Sequence, residues 1–300
     1  MSIPELRTLI QRHAGSGATA TRIPRVTVAS LGRPGPLSEP TTGTVLALVA
    51  QGSKRLSVGG AVHDYGPGEY LVASVDLPVS GQFSDATPER PALGFGLELR
   101  PELVAELMLS PAAAGLPRAD RGESSPPAIA VGRATPELVD AAVRMLRLLE
   151  RPRDIPVLAP MIEREIHWLV MSGDQGATVR QLGLADSSLS RVRRAVQWIR
   201  ERYAEPIRIE ELARRANLST SAFHRNFHAV TAMSPIQYQK LIRLQEARLR
   251  LLANPADVAG AAFAVGYESA SQFSREYRRQ FGAPPSQDVV VLREAIDTRS

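Results

Sequence analysis

The sequence contains no cysteine, which excludes disulfides, thiolate zinc sites, a thiol nucleophile and cysteine-based redox sensing. It has no apolar run near the roughly 18–20 residues that a bilayer-spanning helix needs. Residues 1–15 (MSIPELRTLIQRHAG) lack the charged start, apolar block and small-residue cleavage site of a secretory signal. A cytoplasmic protein with no membrane association is therefore expected. Histidine is scarce and scattered, at His13, His63, His167, His224 and His228, and only the last two lie at helical spacing. No Ser/His/Asp constellation is identifiable either. The expectation is a protein that is not an enzyme, with no cofactor and no metal.

What is present points elsewhere. Three hundred residues, 44% of them hydrophobic and 22% charged, suit two domains with real cores. The net charge of +5 is unevenly spread, because residues 191–300 hold 18 Lys/Arg against 11 Asp/Glu. Positive charge gathered in one segment is what phosphate binding requires.

That segment contains one layout written twice, about fifty residues apart. Ile209–Val230 and Val258–Phe281 each begin as a short apolar helix with small alanines. Each then turns, through Asn217-Leu218-Ser219 or Gly266-Tyr267-Glu268-Ser269, into a second helix. This is the pattern of a helix-turn-helix, whose second helix enters a major groove. In the first copy Phe223, Phe227 and Val230 share one face, while Ser221, His224, Arg225 and His228 fall opposite. Ser219 is the expected N-cap, and Asn217 tolerates a left-handed turn before it. In the second, Asp257 caps the entry helix, Phe273 and Tyr277 face inward, and Ser271, Arg275, Arg278 and Arg279 cluster outward with Gln272 at the edge. Arg suits guanine and Gln suits adenine, so this face has the chemistry of base readout. Candidate DNA contacts are thus Ser219, Ser221, His224, Arg225, His228, Ser271, Gln272, Arg275, Arg278 and Arg279. Between the copies, Ser234-Pro235 opens a helix to Ala253, roughly 28 Å long at 1.5 Å per residue. Its broad apolar face comprises Tyr238, Leu241, Ile242, Leu244, Leu249 and Leu252. A turn of B-DNA is about 34 Å, so one subunit would reach two successive groove segments. The partner is double-stranded DNA.

The first hundred residues read as short strands: Arg25–Ser30, Thr44–Ala50, Arg55–Val58, Tyr70–Ser74 and Leu93–Leu99. Gly59-Gly60 suits a hairpin turn and Gly66-Pro67-Gly68 a sharp corner. A small antiparallel barrel or jelly roll is expected. Val45, Leu48, Tyr70, Val72 and Phe95 are its inward residues, as ordinary core first and pocket walls second. Imperfect alternation in Thr44–Ala50 fits a strand buried on both faces. Helices are expected over Pro101–Ser110, from Thr135-Pro136 to about Arg151, and over roughly Val157–Met171, the last two pairing as a hairpin. An exposed loop rich in Pro, Gly and Ser is expected over Pro111–Gly132.

The C-terminal residues closely resemble the AraC/XylS family of bacterial transcription regulators. The match runs from about Ser188 to Arg293 and includes Glu211-Leu212-Ala213, Phe223-His224-Arg225, Ser234-Pro235, Val265-Gly266-Tyr267, Ser271-Gln272-Phe273-Ser274-Arg275 and Pro284-Pro285. Residues 51–55 and Gly68–Pro78 look like the cupin-like regulatory domain of one AraC subgroup. A metal cupin gathers two or three histidines and a glutamate, whereas this strand region offers only His63, read as a hairpin surface residue. Ala232 departs from a usual Gly, Gly260 from a larger polar residue, and Asp288 stands near a usual Tyr-Arg.

The fold expected is a two-domain α+β chain, with an N-terminal cupin-like β-barrel and flanking helices, then an all-α double helix-turn-helix. The boundaries are 1–110 for the regulatory domain, 111–186 for a loop and helical hairpin (a linker or dimerisation candidate), and 187–300 for the DNA-binding domain. The resemblance implies promoter DNA and RNA polymerase as partners, a homodimer, and control by a small-molecule effector or by dimerisation. The alternatives are a cupin-type enzyme fused to a DNA-binding module and an effector-independent architectural DNA binder.

Overall fold

The computed structural model describes residues 2–33, 35–36, 42–59, 61–117, 127–184 and 187–297. The chain divides into two compact units, one of residues 1–193 with 226–232, the other of residues 194–225 with 233–300.

The first unit opens with helix α1 (Ile3–His13), followed by strands β1 (Gly17–Ala20), β2 (Val26–Leu31), β3 (Gly35–Pro36), β4 (Val45–Gln51), β5 (Ser53–Val58), β6 (Ala61–Tyr65), β7 (Glu69–Ala73), β8 (Ser80–Ser84) and β9 (Ala92–Glu98). Helix α2 (Pro101–Met108), strand β10 (Ile129–Arg133) and helices α3 (Pro136–Arg147), α4 (Ile155–Ser172) and α5 (Gly176–Gly183) complete its continuous part. The strands form two antiparallel sheets, ordered β1-β2-β9-β4-β7-β10 and β3-β8-β5-β6. Among the described residues the expected barrel is a pair of open sheets, since no ladder there joins the edges of either one to close it. Chain reversal between the sheets uses the expected corner: Glu69 N donates to Gly66 O at 3.0 Å, and Gly68 sits at φ +81°. The β5–β6 hairpin pairs Val58 with Ala61 and puts Gly59 at φ +55°, as a two-residue turn demands; Gly60 lies outside the described residues.

Strand β4 is central in its sheet, and its last four residues are all buried, which explains the broken alternation. Strand β10 corrects the loop expected over Pro111–Gly132. Residues 129–133 pair with β7, from Ile129 opposite Ala73 to Arg133 opposite Glu69, and residues 118–126 of that segment lie outside the described residues. A β-strand edge must satisfy its backbone donors, and this short segment does so for β7.

Helix α3 begins as expected, with the Thr135 hydroxyl accepting from Leu138 N at 3.3 Å and Pro136 in the first turn. It packs on α4, and Arg144 links the two by bonding both Asp140 and Glu165. Helix α1 packs on β2, β4 and β9 through Leu6, Leu9 and Ile10. The Arg25 guanidinium donates to both oxygens of the buried Glu163, at 3.0 and 3.1 Å, tying the start of β2 to α4. No helix among the described residues is long and apolar enough to cross a membrane.

Helix α6 (Ser188–Glu201) leads toward the second unit, with Val192, Val196 and Ile199 buried as their spacing predicts. It is followed by α7 (Ile209–Arg215), α8 (Thr220–Thr231), α9 (Pro235–Ala253), α10 (Val258–Ala264), α11 (Ala270–Phe281) and α12 (Pro285–Asp297). Ser234 and Gln237 form a reciprocal capping box at the start of α9. Leu244, Ala247 and Leu251 of α9 share a core with Ala261, Ala262, Val265, Tyr267, Phe273, Tyr277 and Val289. Leu249, expected on the buried face of α9, is 46% exposed; Ala247 and Leu251, two residues to either side and therefore on the other side of the helix, are buried instead.

Candidate nucleic-acid interface

The turns of the two helix-turn-helix copies have the same backbone geometry. In the first, Asn217 N donates to Arg214 O and Leu218 N to Ala213 O, each at 3.0 Å. In the second, Gly266 N donates to Phe263 O and Tyr267 N to Ala262 O, again at 3.0 Å. These paired bonds are a Schellman closure, which needs a left-handed residue, and Asn217 and Gly266 supply it at φ +54° and +88°. Asn is tolerated in that region and Gly is free in it. At Gly266 there is a second requirement: an added Cβ would lie 2.1 Å from the Ala204 carbonyl oxygen. Arg243 of α9 holds this corner, donating to Gly266 O at 2.8 Å and to the carbonyls of Tyr203, Ala204 and Glu205. The sequence pattern carried Arg243 without indicating its task.

Beyond the turn, Ser219 and Ser269 cap α8 and α11, each hydroxyl accepting a backbone N–H three residues on at 3.3 Å. From there the copies run in step. Ser221, Phe223, Arg225, Phe227 and His228 in α8 stand fifty positions before Ser271, Phe273, Arg275, Tyr277 and Arg278 in α11. Phe223, Phe227, Phe273 and Tyr277 are fully buried, so each helix has a fixed rotation about its own axis. That rotation leaves the opposite stripe outward. Ser219, Ser221, His224, Arg225, His228, Ser271, Gln272, Arg275, Arg278 and Arg279 are all exposed. None of Arg225, Arg275, Arg278 and Arg279 has a hydrogen bond or an ion pair among the described residues, so their guanidinium forks are available.

One sequence-predicted residue is partly engaged. Gln272 donates its amide N–H to Glu276 at 3.3 Å. An amide carries two N–H donors, so the second N–H and the carbonyl oxygen of Gln272 are not used by this bond. Glu276 also accepts from Lys240 Nζ and from the Tyr267 hydroxyl, both at 2.9 Å. Burial pushes the Glu276 carboxyl up, but the hydrogen bonds from Lys240, Gln272 and Tyr267 outweigh it and hold the group below its ordinary value. This cluster pins α11 to α9, and nothing in the spacing of Glu276 disclosed it.

The departures from the family pattern have structural roles. Ala232 adopts φ +57° at the end of α8, as Gly282 does at φ +82° at the end of α11, and each N–H closes on a carbonyl four residues back at 2.8 Å. Gly260 donates its N–H to Asp257 Oδ1 at 2.7 Å, and an added Cβ would lie 2.1 Å from Oδ2. The missing side chain makes room for the cap. Asp288 is buried and bonds Arg248 and Tyr277.

Elsewhere, His63 lies on β6, half-buried rather than at the surface, and burial lowers its pKa. Among the described residues no three His, Asp or Glu side chains converge as a metal would require. A cavity of about 180 Å³ lies between the two sheets of the first unit. Val45, Leu48 and Phe95 line it, while Tyr70 and Val72 do not.

Residues 22–178 match the family described as AraC-type transcriptional regulator N-terminus, and residues 212–288 match a helix-turn-helix domain family. Similar curated proteins include the HTH-type transcriptional activator RhaS of Klebsiella pneumoniae (strain 342), 30% identical over 121 residues, covering 39% of this chain and 43% of that protein. RhaS of Escherichia coli (strain SE11) is 28% identical over 100 residues, covering 33% and 36%. The chain thus spans less than half the length of these curated relatives. The crystal structure of ToxT from Vibrio cholerae strain SCE256, solved with an unsaturated fatty acid bound, superposes with a TM-score of 0.52 at 8% identity, over 88% of this chain and 94% of that one. At that identity the likeness is one of fold.

Proposed function

The chain belongs to the AraC-type transcriptional regulators, and from that premise we propose that it binds promoter DNA sequence-specifically, its α8 and α11 reading successive major-groove segments. The observation that carries this is the repeated stripe Ser221–Arg225–His228 and Ser271–Arg275–Arg278, exposed on two helices whose opposite faces are locked in cores. Arg225 and Arg275 take the base-reading role, since a bidentate Arg distinguishes guanine. Gln272, with one amide N–H and its carbonyl oxygen not used by Glu276, suits adenine. Ser219, Ser221 and Ser271, with His224, His228, Arg278 and Arg279, supply phosphate and further base contacts.

Residues 187–300 act as the DNA-binding domain, 1–110 as a cupin-like regulatory domain, and 111–186 as the linker carrying dimer contacts. Control is exerted by a small-molecule effector held in the N-terminal unit, a reading supported by its cavity and by a fatty acid bound to a regulator of like fold. RNA polymerase and a second copy of the chain are the protein partners.

Selection of bound sequences from a random DNA pool, at fixed salt, tests the reading. Enrichment of a two-part site with centres roughly 10–10.5 base pairs apart is expected. Salt-sensitive binding with no sequence preference would overturn it and leave an architectural binder.

A further inference from the structure

The cavity of the first unit has walls from both sheets, and the two walls differ. On the six-stranded sheet, register sets Ala18, Ala29 and Gly94 side by side on β1, β2 and β9, and Gly96 beside Ala47 of β4. All five line the cavity. Residues two apart on a strand share a face, so these rows make a patch of floor with no side chain longer than a methyl. The four-stranded sheet contributes larger groups: Phe83, Lys54 and Tyr65 lie opposite one another on β8, β5 and β6. The polar side chains of the lining are not equivalent. Thr42 is satisfied, donating to Val75 O at 3.1 Å and accepting from Leu77 N at 3.2 Å. Lys54 stands 5.1 Å from the Phe83 ring centroid and is engaged within the protein, so it is not free to meet a ligand's charge. Thr27 is exposed. Tyr65 is 3% exposed, and its hydroxyl has no hydrogen-bond partner among the described residues. Native proteins rarely leave such a group unpaired.

We propose that this cavity takes a small, uncharged aromatic carbonyl compound, its ring on the floor of small residues and its carbonyl oxygen accepting from the Tyr65 hydroxyl. Burial pushes the Tyr65 pKa up and keeps the proton on oxygen, so the group offers one O–H and no charge. A neutral acceptor matches it. An ionised ligand would exchange its water shell for hydrocarbon and a neutral hydroxyl, and a sugar would leave most of its hydroxyls against the same wall. Shape follows from the floor, where Gly94 and Gly96 leave room for the flat face of a ring. Size follows from volume. An apolar cavity of about 150 Å³ holds benzene, so about 180 Å³ admits on the order of ten heavy atoms. Acetophenone is of that size, and benzophenone is not.

The inference rests on the reading of the N-terminal unit as the effector domain and specifies that effector's chemistry. The test is calorimetric titration of the full chain with acetophenone, α-methylstyrene, benzoate and benzophenone. Acetophenone is expected to bind about fivefold more tightly than α-methylstyrene, which has the same shape with a methylene in place of the carbonyl oxygen. Benzoate and benzophenone are expected to bind more weakly than acetophenone. Tyr65→Phe, which keeps the ring, should bring acetophenone and α-methylstyrene to equal affinity without lowering the melting temperature of the free chain. At Gly94 an added Cβ would meet Leu48 O at 3.7 Å and the Ala29 Cβ at 3.9 Å, ordinary contacts that the fold accommodates. Gly94→Ala should therefore weaken both ligands alike and keep their ratio. Equal affinity of the two for the wild-type chain, tighter binding of benzoate or benzophenone, or failure of acetophenone to bind would each overturn the proposal. So would a preference for acetophenone that survives Tyr65→Phe. Measuring DNA affinity alongside separates the two readings. Tyr65-dependent binding with unchanged DNA affinity supports the site and removes the effector role. A metabolite of another class that shifts DNA affinity, with acetophenone inert, removes the site's assignment and keeps the role.

Discussion

Asp288 accepts both arms of the Arg248 guanidinium, from Nε to Oδ2 and from Nη2 to Oδ1, each at 2.8 Å. The Tyr277 hydroxyl donates to the same Oδ2 at 2.7 Å, and the Phe281 ring lies 4.4 Å from the guanidinium carbon. One carboxylate thereby joins α9, α11 and α12. Removing it strands a half-buried cation and a buried hydroxyl together. Asp288→Ala should destabilise the chain by about 3 kcal/mol, the usual cost of breaking a buried pair from one side. Urea unfolding checks this; a loss under about 1 kcal/mol would mean that the pair is solvent-screened.

Arg225 and Arg275 occupy equivalent positions of the two reading helices. Each Arg→Ala substitution should cost roughly 1–3 kcal/mol on the selected site and relax preference at one position, a different one for each arginine. Binding measured against a panel of single-base variants would reveal it. A uniform loss across the panel would reassign that arginine to phosphate contact.

Ala232 and Gly282 end α8 and α11 in the same left-handed conformation, so opposite substitutions should have opposite signs. Ala232→Gly should raise stability by about 0.5–1 kcal/mol, and Gly282→Ala should lower it by about 1 kcal/mol. Nothing lies within 4 Å of a Cβ built at Gly282, so sterics do not confuse the second case. Matching signs in the two unfolding curves would contradict the shared conformation.

His167 is fully buried between a donor and an acceptor. Its Nε2 accepts the Arg100 backbone N–H at 2.9 Å, and its Nδ1 faces the Glu163 carbonyl at 2.8 Å, so the ring is neutral with its proton on Nδ1. Burial lowers its pKa, Glu163 opposes this in part through its backbone carbonyl and its charge, and Arg100 and Arg25 add smaller lowering pushes. The unfolded chain therefore binds this proton first. The stabilisation is intact above the ordinary histidine value of about 6.5 and is lost as pH falls toward the folded value. Melting temperature should drop more steeply between pH 7 and pH 5 (approximate limits of that window) in the wild type than in His167→Gln. Parallel curves would show that His167 does not carry the dependence.

The DNA-reading segment was legible because periodic apolar residues, caps and a turn residue agreed twice over; Phe223, Phe273, Ser219 and Asn217 each sit where their pattern put them. What escaped was structure whose local signal is weak. Strand β8, Ser-Gly-Gln-Phe-Ser, has one fully buried residue, and β6 exposes Ala61, Val62 and Asp64. Such strands exist because neighbours supply their hydrogen bonds. Helix α5 begins and ends in glycine, and α12 opens its apolar run with three valines, a β-branched stretch that argues against helix. The polar clusters around Arg243, Glu276 and Asp288 join residues far apart in the chain, and no periodicity encodes such meetings.

The two reading helices are copies in backbone but not in side chains: where one offers His228 and Ala229, the other offers Arg278 and Arg279. A palindromic target would suit identical readers, but unlike readers in fixed chain order suit a target with a front and a back. On the proposed function, reversing such an operator in front of a gene would reverse the order in which α8 and α11 lie along it, so orientation itself becomes part of the regulatory signal.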